Sequence, residues 1–349
     1  MPETLTVAAA LRLRMRAQGL DPRSALDPVA AADRAVALQG QDLPAVLRAL
    51  AIRSRRGTTL DAVRAAFDRG ELVRTWTMRG TLFATTPRRA ATLLALTGER
   101  VRASIATRKR QLGLDPATVE RGIGILREAL ASGTVTRADA MARWEAAGIP
   151  TREQRGYHLI LEAGLTGLAW WGPFVGADQA LVAADPVTPA DLEAALDGVV
   201  RGYLRAHGPV DPDDAAWWLG LPKTPVRAAV ERVRPEFAEV EVAGRTMLVD
   251  PGVLAGGRGA RASGRVVLVP GFDELVLGYP GRELFADPEV LAALTPGNNG
   301  VFQPAVAVDG RVVGTWRVPV RGESRLEILS PVSDAVRARA ETALADWPY

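Results

Sequence analysis

The sequence predicts a mainly helical α+β protein, and three observations lead to this fold class. Amphipathic helical segments recur through roughly the first 260 residues. Pairs of short alternating segments, each with a glycine at its turn, follow groups of these helices. The remainder of the chain changes to short strands that end in one helix. We therefore expect repeated groups of helices with hairpins, followed by a separate β-rich region.

The clearest repeat spans residues 187–262. Apolar residues at helical spacing predict a helix from about 189 to 206, a short helix ended by Gly220, and a third helix with Thr224 as its N-cap. An alternating run with a turn at Gly244 predicts a hairpin after them. Helix, short helix, helix and hairpin in this order predict a winged helix.

The same order is predicted over residues 113–186. A helix from about 117 to 131 comes first, and capping boxes beginning at Thr136 and Thr151 predict two further helices. Strand-like segments over about 165–184 then predict a second wing. This segment is predicted to be another winged helix.

Residues 1–112 fit the pattern less closely. Helices are expected at about 4–18, 30–39, 42–53 and 60–68, before a hairpin over 72–85 that turns near Arg79-Gly80. We expect a winged helix here too.

The predicted architecture thus consists of three tandem winged-helix units around a concave basic groove, plus a C-terminal β-barrel-like region. That region covers residues 263–349, with short strands that include Asp273–Leu277, a hairpin turn at Asp309-Gly310, and a closing helix over about 332–346.

The composition excludes several kinds of site. The chain has no cysteine, and its only histidines are His158 and His207. Thiolate chemistry is therefore excluded, and histidine-based metal or triad sites nearly so. No glycine loop of the P-loop or dinucleotide type is present. We expect no metal or organic cofactor.

Charge is distributed unevenly along the chain. Residues 1–110 carry 20 Lys and Arg against 9 Asp and Glu, a net of +11, whereas the remainder carries a net of −8. A basic segment joined to an acidic one indicates a region that faces a polyanion, although an arginine-rich surface could also serve solvation alone. No apolar run reaches the roughly 18 residues of a membrane span, and no secretory signal begins the chain. We expect a monomeric, cytoplasmic protein without membrane contact.

The most unusual local feature is Gln39-Gly40-Gln41-Asp42, followed by Leu43-Pro44. Gly40 is expected to stop the incoming helix, and Asp42 with Pro44 to start the next one. Both glutamines would then lie at a helix–helix corner, where their amides could converge on one small volume. The alternative is two polar residues on an exposed bend.

Three stretches carry a family resemblance. They are Ala37-Leu38-Gln39-Gly40-Gln41-Asp42-Leu43-Pro44, Arg74-Thr75-Trp76-Thr77-Met78-Arg79-Gly80-Thr81-Leu82, and Val269-Pro270-Gly271-Phe272-Asp273-Glu274-Leu275-Val276-Leu277-Gly278-Tyr279. In order and spacing they resemble the winged-helix alkylpurine DNA glycosylases of the AlkZ/YcaQ type. The resemblance covers essentially the whole chain, and it departs at Gly40, where an aliphatic residue is usual, and at Phe83, where many relatives have histidine.

The resemblance implies a monofunctional DNA glycosylase with Gln39 and Gln41 as catalytic residues. Its substrate would be bulky or crosslinked N7-alkylguanine, or N3-alkyladenine, in duplex DNA, and its purpose DNA repair or self-resistance to an alkylating natural product. Such a base already carries positive charge and can leave without protonation. The enzyme then has only to orient water, which glutamine amides can do. Asp42 could add negative potential, although a helix N-cap is its expected role.

Further residues are candidates for contact with DNA or the lesion. Arg53, Arg55 and Arg56, and the triplet Arg108-Lys109-Arg110, are candidate phosphate ligands, with solvated surface as the alternative. Trp76, Arg79 and Thr81 lie on or beside the first wing and could approach the lesion.

Three other residues are assigned structural roles. His158 is expected to be a satisfied structural histidine. Asp273 and Glu274, read as neighbours in a strand, would face opposite sides and would not share an acid–base site.

Two rival functions remain open from the sequence. One is a non-catalytic winged-helix DNA-binding regulator or lesion-sequestering protein, which the unusual Gly40 keeps in consideration. The other is a protein-interaction scaffold, which would have no salt-dependent affinity for DNA.

Overall fold

A computed structural model of the chain describes residues 2–298, 300–320 and 323–349. Its helices are α1 (Val7–Ala17), α2 (Pro28–Ala35), α3 (Leu43–Ile52), α4 (Leu60–Asp68), α5 (Pro87–Gln111), α6 (Pro116–Ala131), α7 (Arg137–Ala146), α8 (Arg155–Leu165), α9 (Leu192–His207), α10 (Asp214–Leu219), α11 (Lys223–Val233), α12 (Pro251–Gly257), α13 (Glu274–Leu277), α14 (Pro288–Leu294) and α15 (Asp334–Ala345). Its strands are β1 (Glu3–Leu5), β2 (Leu38–Gln39), β3 (Val73–Met78), β4 (Thr81–Thr85), β5 (Ala169–Val175), β6 (Asp178–Ala183), β7 (Ala238–Val242), β8 (Arg245–Val249), β9 (Val266–Val269), β10 (Ala305–Val308), β11 (Arg311–Val320) and β12 (Glu323–Ile328).

The chain forms two compact units. One contains the residues up to Val63 and those from Leu196 onward, and the other contains Arg64–Ala195. The division between Val63 and Arg64 falls inside the segment 1–112 that the sequence suggested as one domain. The four-part division into 1–112, 113–186, 187–262 and 263–349 stays a prediction.

The 64–195 unit combines α5 to α8 with two hairpins, β3–β4 and β5–β6. The hairpins join through antiparallel pairing of Arg74 with Trp171. Its core gathers apolar side chains from α6, α7 and α8 around Trp144, whose indole N–H donates to the Gly122 carbonyl at 2.8 Å. The helix–helix–helix–hairpin order predicted for this segment is therefore present.

Two capping boxes were predicted in this unit, and one is correct. Thr136 accepts a hydrogen bond from the Asp139 N–H and caps α7. Thr151 does not open α8. Its N–H and hydroxyl both donate to Glu145, and the chain passes through positive φ angles at Glu153 and Gln154 before α8 begins. The Thr151 hydroxyl thus binds the carboxylate of Glu145 in α7 and does not cap α8.

In the other unit, α9, α10 and α11 precede the hairpin β7–β8, again in the predicted order. Gly220 ends α10 in the left-handed conformation, as expected. The third helix begins at Lys223 after Pro222, one residue before the predicted N-cap Thr224. Strand β1 pairs in parallel with β7, an addition that no local sequence pattern indicated.

The last region contains an open antiparallel sheet rather than a barrel. Its described strands lie in the order β12-β11-β10-β9, so β12 and β9 form its two edges, and α15 packs on it through Ala340 and Leu344. The expectation of a β-barrel-like region was wrong for the described part of the chain. The hairpin at Asp309-Gly310, where both φ angles are positive, is as predicted.

Asp273–Leu277 is also not the strand that was predicted. Asp273 accepts a hydrogen bond from the Leu275 N–H at 2.8 Å and caps the single-turn helix α13. Within the described residues, none of the helices is both long enough and apolar enough to cross a membrane.

Candidate active site

The two glutamines lie in the short connection between α2 and α3. Helix α2 ends at Ala35, and Val36 adopts a φ of 67°. The chain then extends through β2, so Gly40 does not end the incoming helix as expected. Asp42 does cap the outgoing helix, because its carboxylate accepts from the Ala45 N–H at 2.7 Å.

Gln39 and Gln41 occupy different environments. Gln39 is 8% exposed, and its Oε1 accepts a hydrogen bond from the Gly40 N–H at 2.9 Å. Gln41 is exposed. One amide is therefore fixed within the protein and the other reaches solvent. Convergence of the two amides on one volume stays a prediction.

The buried carboxylate of Glu274 binds the backbone of Gln39. Glu274, which is 2% exposed, accepts from the Gln39 N–H at 3.2 Å through Oε1. Its Oε2 accepts from the indole N–H of Trp218 at 3.1 Å and lies 3.3 Å from His207 Nε2. Both carboxylate oxygens thus have buried partners, as a buried carboxylate requires.

His207 completes this group. Its Nδ1 lies 3.2 Å from the Tyr203 carbonyl, and its ring stacks on Tyr203 with centroids 4.4 Å apart. Both ring nitrogens therefore face oxygen atoms. Both contacts are hydrogen bonds only when Nδ1 is protonated and one more proton lies between Nε2 and Glu274.

Arg53 is a structural ion pair rather than the expected phosphate ligand. It is 3% exposed, and its Nη1 and Nη2 bind the two carboxylate oxygens of Asp273, each at 2.7 Å. Gln18 Oε1 accepts from Nη2 at 2.6 Å. Bidentate pairing in a buried site leaves the guanidinium no access to a DNA phosphate, which corrects the prediction for this residue.

The adjacent residues Asp273 and Glu274 therefore bind residues on either side of α3. Glu274 binds the backbone of Gln39, just before α3, and Asp273 binds Arg53, just after it. Asp273 and Glu274 were expected not to share an acid–base site, and these separate contacts are compatible with that. The reason given for it was wrong, because the two residues lie at the start of a helix and not in a strand. Sequence reasoning missed these roles, although the third family-like stretch contains both residues.

The remaining candidate residues near the first hairpin differ in accessibility. Trp76 is buried and packs edge-on against Tyr157, with ring centroids 5.7 Å apart. Arg79 lies at the hairpin turn with a φ of 53°, and its guanidinium carbon is 5.7 Å from the centroid of the fully buried Phe83 ring. Thr81 is half-buried, and its hydroxyl donates to the Met78 carbonyl at 3.5 Å. Trp76 is therefore part of the hydrophobic core and is not accessible to a lesion.

Arg55 and Arg56 are exposed in the turn that follows α3. Their side chains are accessible to a phosphate, in contrast to that of Arg53. Both remain candidate DNA ligands.

The basic triplet at the end of α5 is partly engaged. Lys109 Nζ lies 2.7 Å from the buried Glu162, which also binds Arg102 at 2.6 Å. Burial opposes ionisation of Glu162, but the hydrogen bonds from Lys109 and Arg102 outweigh it and lower the pKa of the carboxyl. Arg108 Nη2 donates to Gln154 Oε1 at 3.2 Å, and Arg110 Nη2 to Thr107 Oγ1 at 2.9 Å; both arginines are exposed.

His158 was expected to be a satisfied structural histidine, and it does lie in the protein interior. It is buried, and its Nδ1 has no hydrogen-bond partner among the described residues. Burial first, and then the nearby charges of Arg108 and Lys109, lower the pKa of the ring. The imidazole is therefore held in its neutral form.

A second buried carboxyl lies in the unit that contains Gln39. Burial and the charge of Asp211 raise the pKa of Asp214 to about 6. Asp214 Oδ2 accepts a hydrogen bond from the Asp211 N–H at 3.2 Å. Within the described part of the chain, no group of three or more His, Asp or Glu side chains is arranged to hold a metal ion.

With this geometry in place, comparison with known proteins gives the class. The protein is a DNA glycosylase. It belongs to the AlkZ-like family: the sequence model described as DNA glycosylase AlkZ-like matches residues 32–347. The resemblance inferred from the three stretches is thereby confirmed, and the regulator and scaffold alternatives are set aside.

The chain is also similar to a named glycosylase and to a solved structure, both from Streptomyces sahachiroi. An interstrand DNA cross-link repair glycosylase of Streptomyces sahachiroi is 27% identical over 328 residues, covering 87% of this chain and 86% of the relative. The solved structure of the Streptomyces sahachiroi DNA glycosylase AlkZ superimposes with a TM-score of 0.77 and 24% identity, covering 98% of this chain and 97% of that one. The second comparison shows a shared fold.

Proposed function

We propose that this glycosylase hydrolyses the N-glycosidic bond of bulky or crosslinked N7-alkylguanine and N3-alkyladenine in duplex DNA. The observation that carries the proposal is the Gln39-Gly40-Gln41 connection, with Gln39 fixed by Glu274 and Gln41 exposed. The curated relative, by its name, acts on interstrand crosslinks. Repair of alkylated DNA, or self-resistance to an alkylating natural product, is the corresponding role.

The chemistry suits neutral amides. A purine alkylated at N7 or N3 carries positive charge, so it departs without a general acid and leaves an oxocarbenium-like sugar. Glycoside hydrolases reach a similar transition state but need a carboxylic acid for a poorer leaving group. The protein then has to position a water, and amide oxygens accept hydrogen bonds from water without taking its proton.

The proposed division of labour follows from exposure. Gln41 contacts the attacking water and the sugar from the solvent side. Gln39, whose Oε1 accepts from the Gly40 N–H, holds its amide in a fixed position near Gln41 in the chain. Asp42 is used as the cap of α3 and is left out of the reaction.

Hydrolysis without strand cleavage is the expected outcome. A lyase step requires an amine that forms a Schiff base with the sugar. The chain has only two lysines, Lys109 and Lys223, and these pair with Glu162 and Asp213 at 2.7 and 3.0 Å. Side-chain amines are thus held by carboxylates, which supports a monofunctional enzyme that leaves an abasic site.

The wider context is proposed in the same terms. The predicted winged-helix segments would each offer duplex DNA a helix that fits the major groove and a hairpin that contacts the backbone. The enzyme works as a cytoplasmic monomer and needs no cofactor. An open groove accommodates a bulky or tethered base that a tight pocket for a flipped base would exclude.

The test uses purified protein and two substrates, a duplex with N7-methylguanine and a duplex with a crosslink between two N7-alkylated guanines. Abasic sites are converted to strand breaks by alkali and counted. Excision by the wild type that is lost in Gln39→Ala/Gln41→Ala supports the proposal, with Gln111→Ala, an exposed glutamine at the end of α5, as the matched control. Unchanged excision by the double variant would remove the assignment of both glutamines.

A further inference from the structure

A cleft of about 500 Å³ lies within the unit that contains the glutamines, at the opposite end of α3 from them. Its walls come from the turns after α1 and α3, from β9 and its preceding loop, and from the C-terminal end of the chain. Its volume is in the range of pockets that enclose small ligands, about 300–1,000 Å³. We call it the arginine cleft, after Arg23, Arg56, Arg265 and Arg339, which line it.

Most of the positive charge in the cleft has no carboxylate partner. No Asp or Glu is among the described residues that line it. Arg265 pairs with the neighbouring Asp21 at 3.4 Å. Arg23, Arg56 and Arg339 have no carboxylate within 4 Å in the described part of the chain. A cavity with several uncompensated guanidinium groups favours an anion.

Two of these arginines are oriented by neutral groups. Arg23 donates from Nε to the Ser54 carbonyl at 2.7 Å and from Nη2 to the Ala51 carbonyl at 2.6 Å. Arg339 donates from Nη1 to the Ser263 carbonyl at 2.6 Å. Carbonyls fix the guanidinium planes but leave their full charge. Among the described residues, Arg23 Nη1 and Arg339 Nη2 make no hydrogen bond, and a preorganised guanidinium suits phosphate.

One wall of the cleft is aromatic and apolar. Trp347 and Tyr349 line it, with their ring centroids 5.4 Å apart, and Leu20 and Ile52 add aliphatic surface. The indole N–H of Trp347 is buried and has no hydrogen-bond partner among the described residues. A ligand that brings both an anionic group and a flat or sugar ring would satisfy the arginines and this wall together.

We propose that the arginine cleft is a second binding site, specific for the phosphate of a nucleotide. Two sources can present that group, a nucleotide of the DNA strand or a free nucleotide. The site is distinct from the glutamines, because α3 has 10 residues and is therefore about 15 Å long. In a DNA complex that distance corresponds to about four nucleotide steps of 3.4 Å from the lesion.

The test compares two charge-matched double variants. Arg265→Gln/Arg339→Gln removes two cleft arginines, whereas Arg261→Gln/Arg337→Gln removes two exposed arginines outside it. Affinity for an undamaged labelled duplex is measured from 50 to 300 mM salt. Calorimetric titrations with dAMP and with inorganic phosphate follow, and excision by each variant on a damaged duplex is recorded separately.

If the cleft holds the DNA strand, the cleft variant loses about tenfold in duplex affinity and its salt slope falls by about 1–2, while the control changes less than twofold. If it holds a free nucleotide, dAMP binds the wild type and not the cleft variant, and duplex affinity is unchanged. Equal losses in both variants, or no difference in any titration, would overturn the proposal. Binding does not require excision, so this result is independent of whether the glutamines are catalytic.

Discussion

Replacing Glu274 with glutamine should slow base excision markedly and yet leave the protein folded. Glu274 accepts hydrogen bonds through both oxygens, from Gln39 N–H on one side and from Trp218 Nε1–H on the other. Glutamine offers one oxygen and one NH₂ group, so one of these buried donors must lose its acceptor. An unsatisfied buried donor costs about 1–3 kcal/mol.

That loss is too small to unfold a domain of ordinary stability, about 5–15 kcal/mol, so nearly all molecules stay folded. The rate responds differently, because a displacement of about 1 Å in a positioning group can cost about 100-fold. We expect the single-turnover excision rate of Glu274→Gln to fall about 10- to 100-fold, with DNA affinity within about twofold of wild type.

The assay combines single-turnover excision with saturating enzyme, duplex binding and urea unfolding. Glu283→Gln, an exposed substitution shortly after α13, serves as control. A variant that loses the expected stability but excises at the wild-type rate would refute the positioning role. A variant that matches wild type in both measurements would refute the hydrogen bonds themselves.

Three further outcomes follow from the buried charges. Arg53→Lys should lower the free energy of unfolding by about 1–3 kcal/mol, because lysine keeps the charge opposite Asp273 but cannot reproduce the bidentate pair. Urea unfolding tests this, and an unchanged free energy of unfolding would contradict it. The pKa of Asp214 is about 6 in the fold and 3.8 in the unfolded chain, so ionisation of this carboxyl opposes folding. The stability of the wild type should therefore fall as the pH rises from 4 through 6. Asp214→Asn should be more stable than wild type by up to about 3 kcal/mol at pH 8 and no more stable at pH 3. The pKa of Glu162 is lowered, so its ion pairs stabilise the fold above the unfolded pKa and lose this effect as the pH falls through the folded pKa. The free energy of unfolding of Glu162→Gln should be about 1–3 kcal/mol below that of wild type at pH 7, and the difference should shrink towards pH 3. A difference that does not change with pH would contradict the role of the ion pairs.

Capping and proline signals in the sequence correctly predicted where α3 begins. Asp42 and Pro44 mark the start of α3 because capping and a fixed φ act within one turn of helix. Gly40 was misassigned because the helix ends at its C-cap Val36, whose φ of 67° is positive, and a β-branched residue adopts such a φ only under tertiary constraint. The end of α2 was therefore not readable from composition.

The burial of charged residues was the main feature that the sequence did not reveal. Arg53, Arg55 and Arg56 look alike in sequence, yet Arg53 is buried against Asp273, 220 residues away. Asp273 caps its helix turn locally through the Leu275 N–H, but its pairing with Arg53 and the contact of Glu274 with Gln39 depend on residues far away in the chain. Interactions over such separations have no local periodicity, and the family-like stretches were the only indication of them.

The pairing of β1 with β7 has a consequence for synthesis of the chain. Leu5 lies opposite Val242, so the strand at the N-terminus waits for a partner made 237 residues later. At about 5–20 residues per second this delay is about 12–50 s. During it, Leu13 and Ala10 of α1 also lack Met247 and Val249, their eventual neighbours in the core. The residues from Arg64 to Ala195, in contrast, are contiguous and leave the ribosome as one block, so we expect exposed apolar surface on the nascent chain before this block rather than within it.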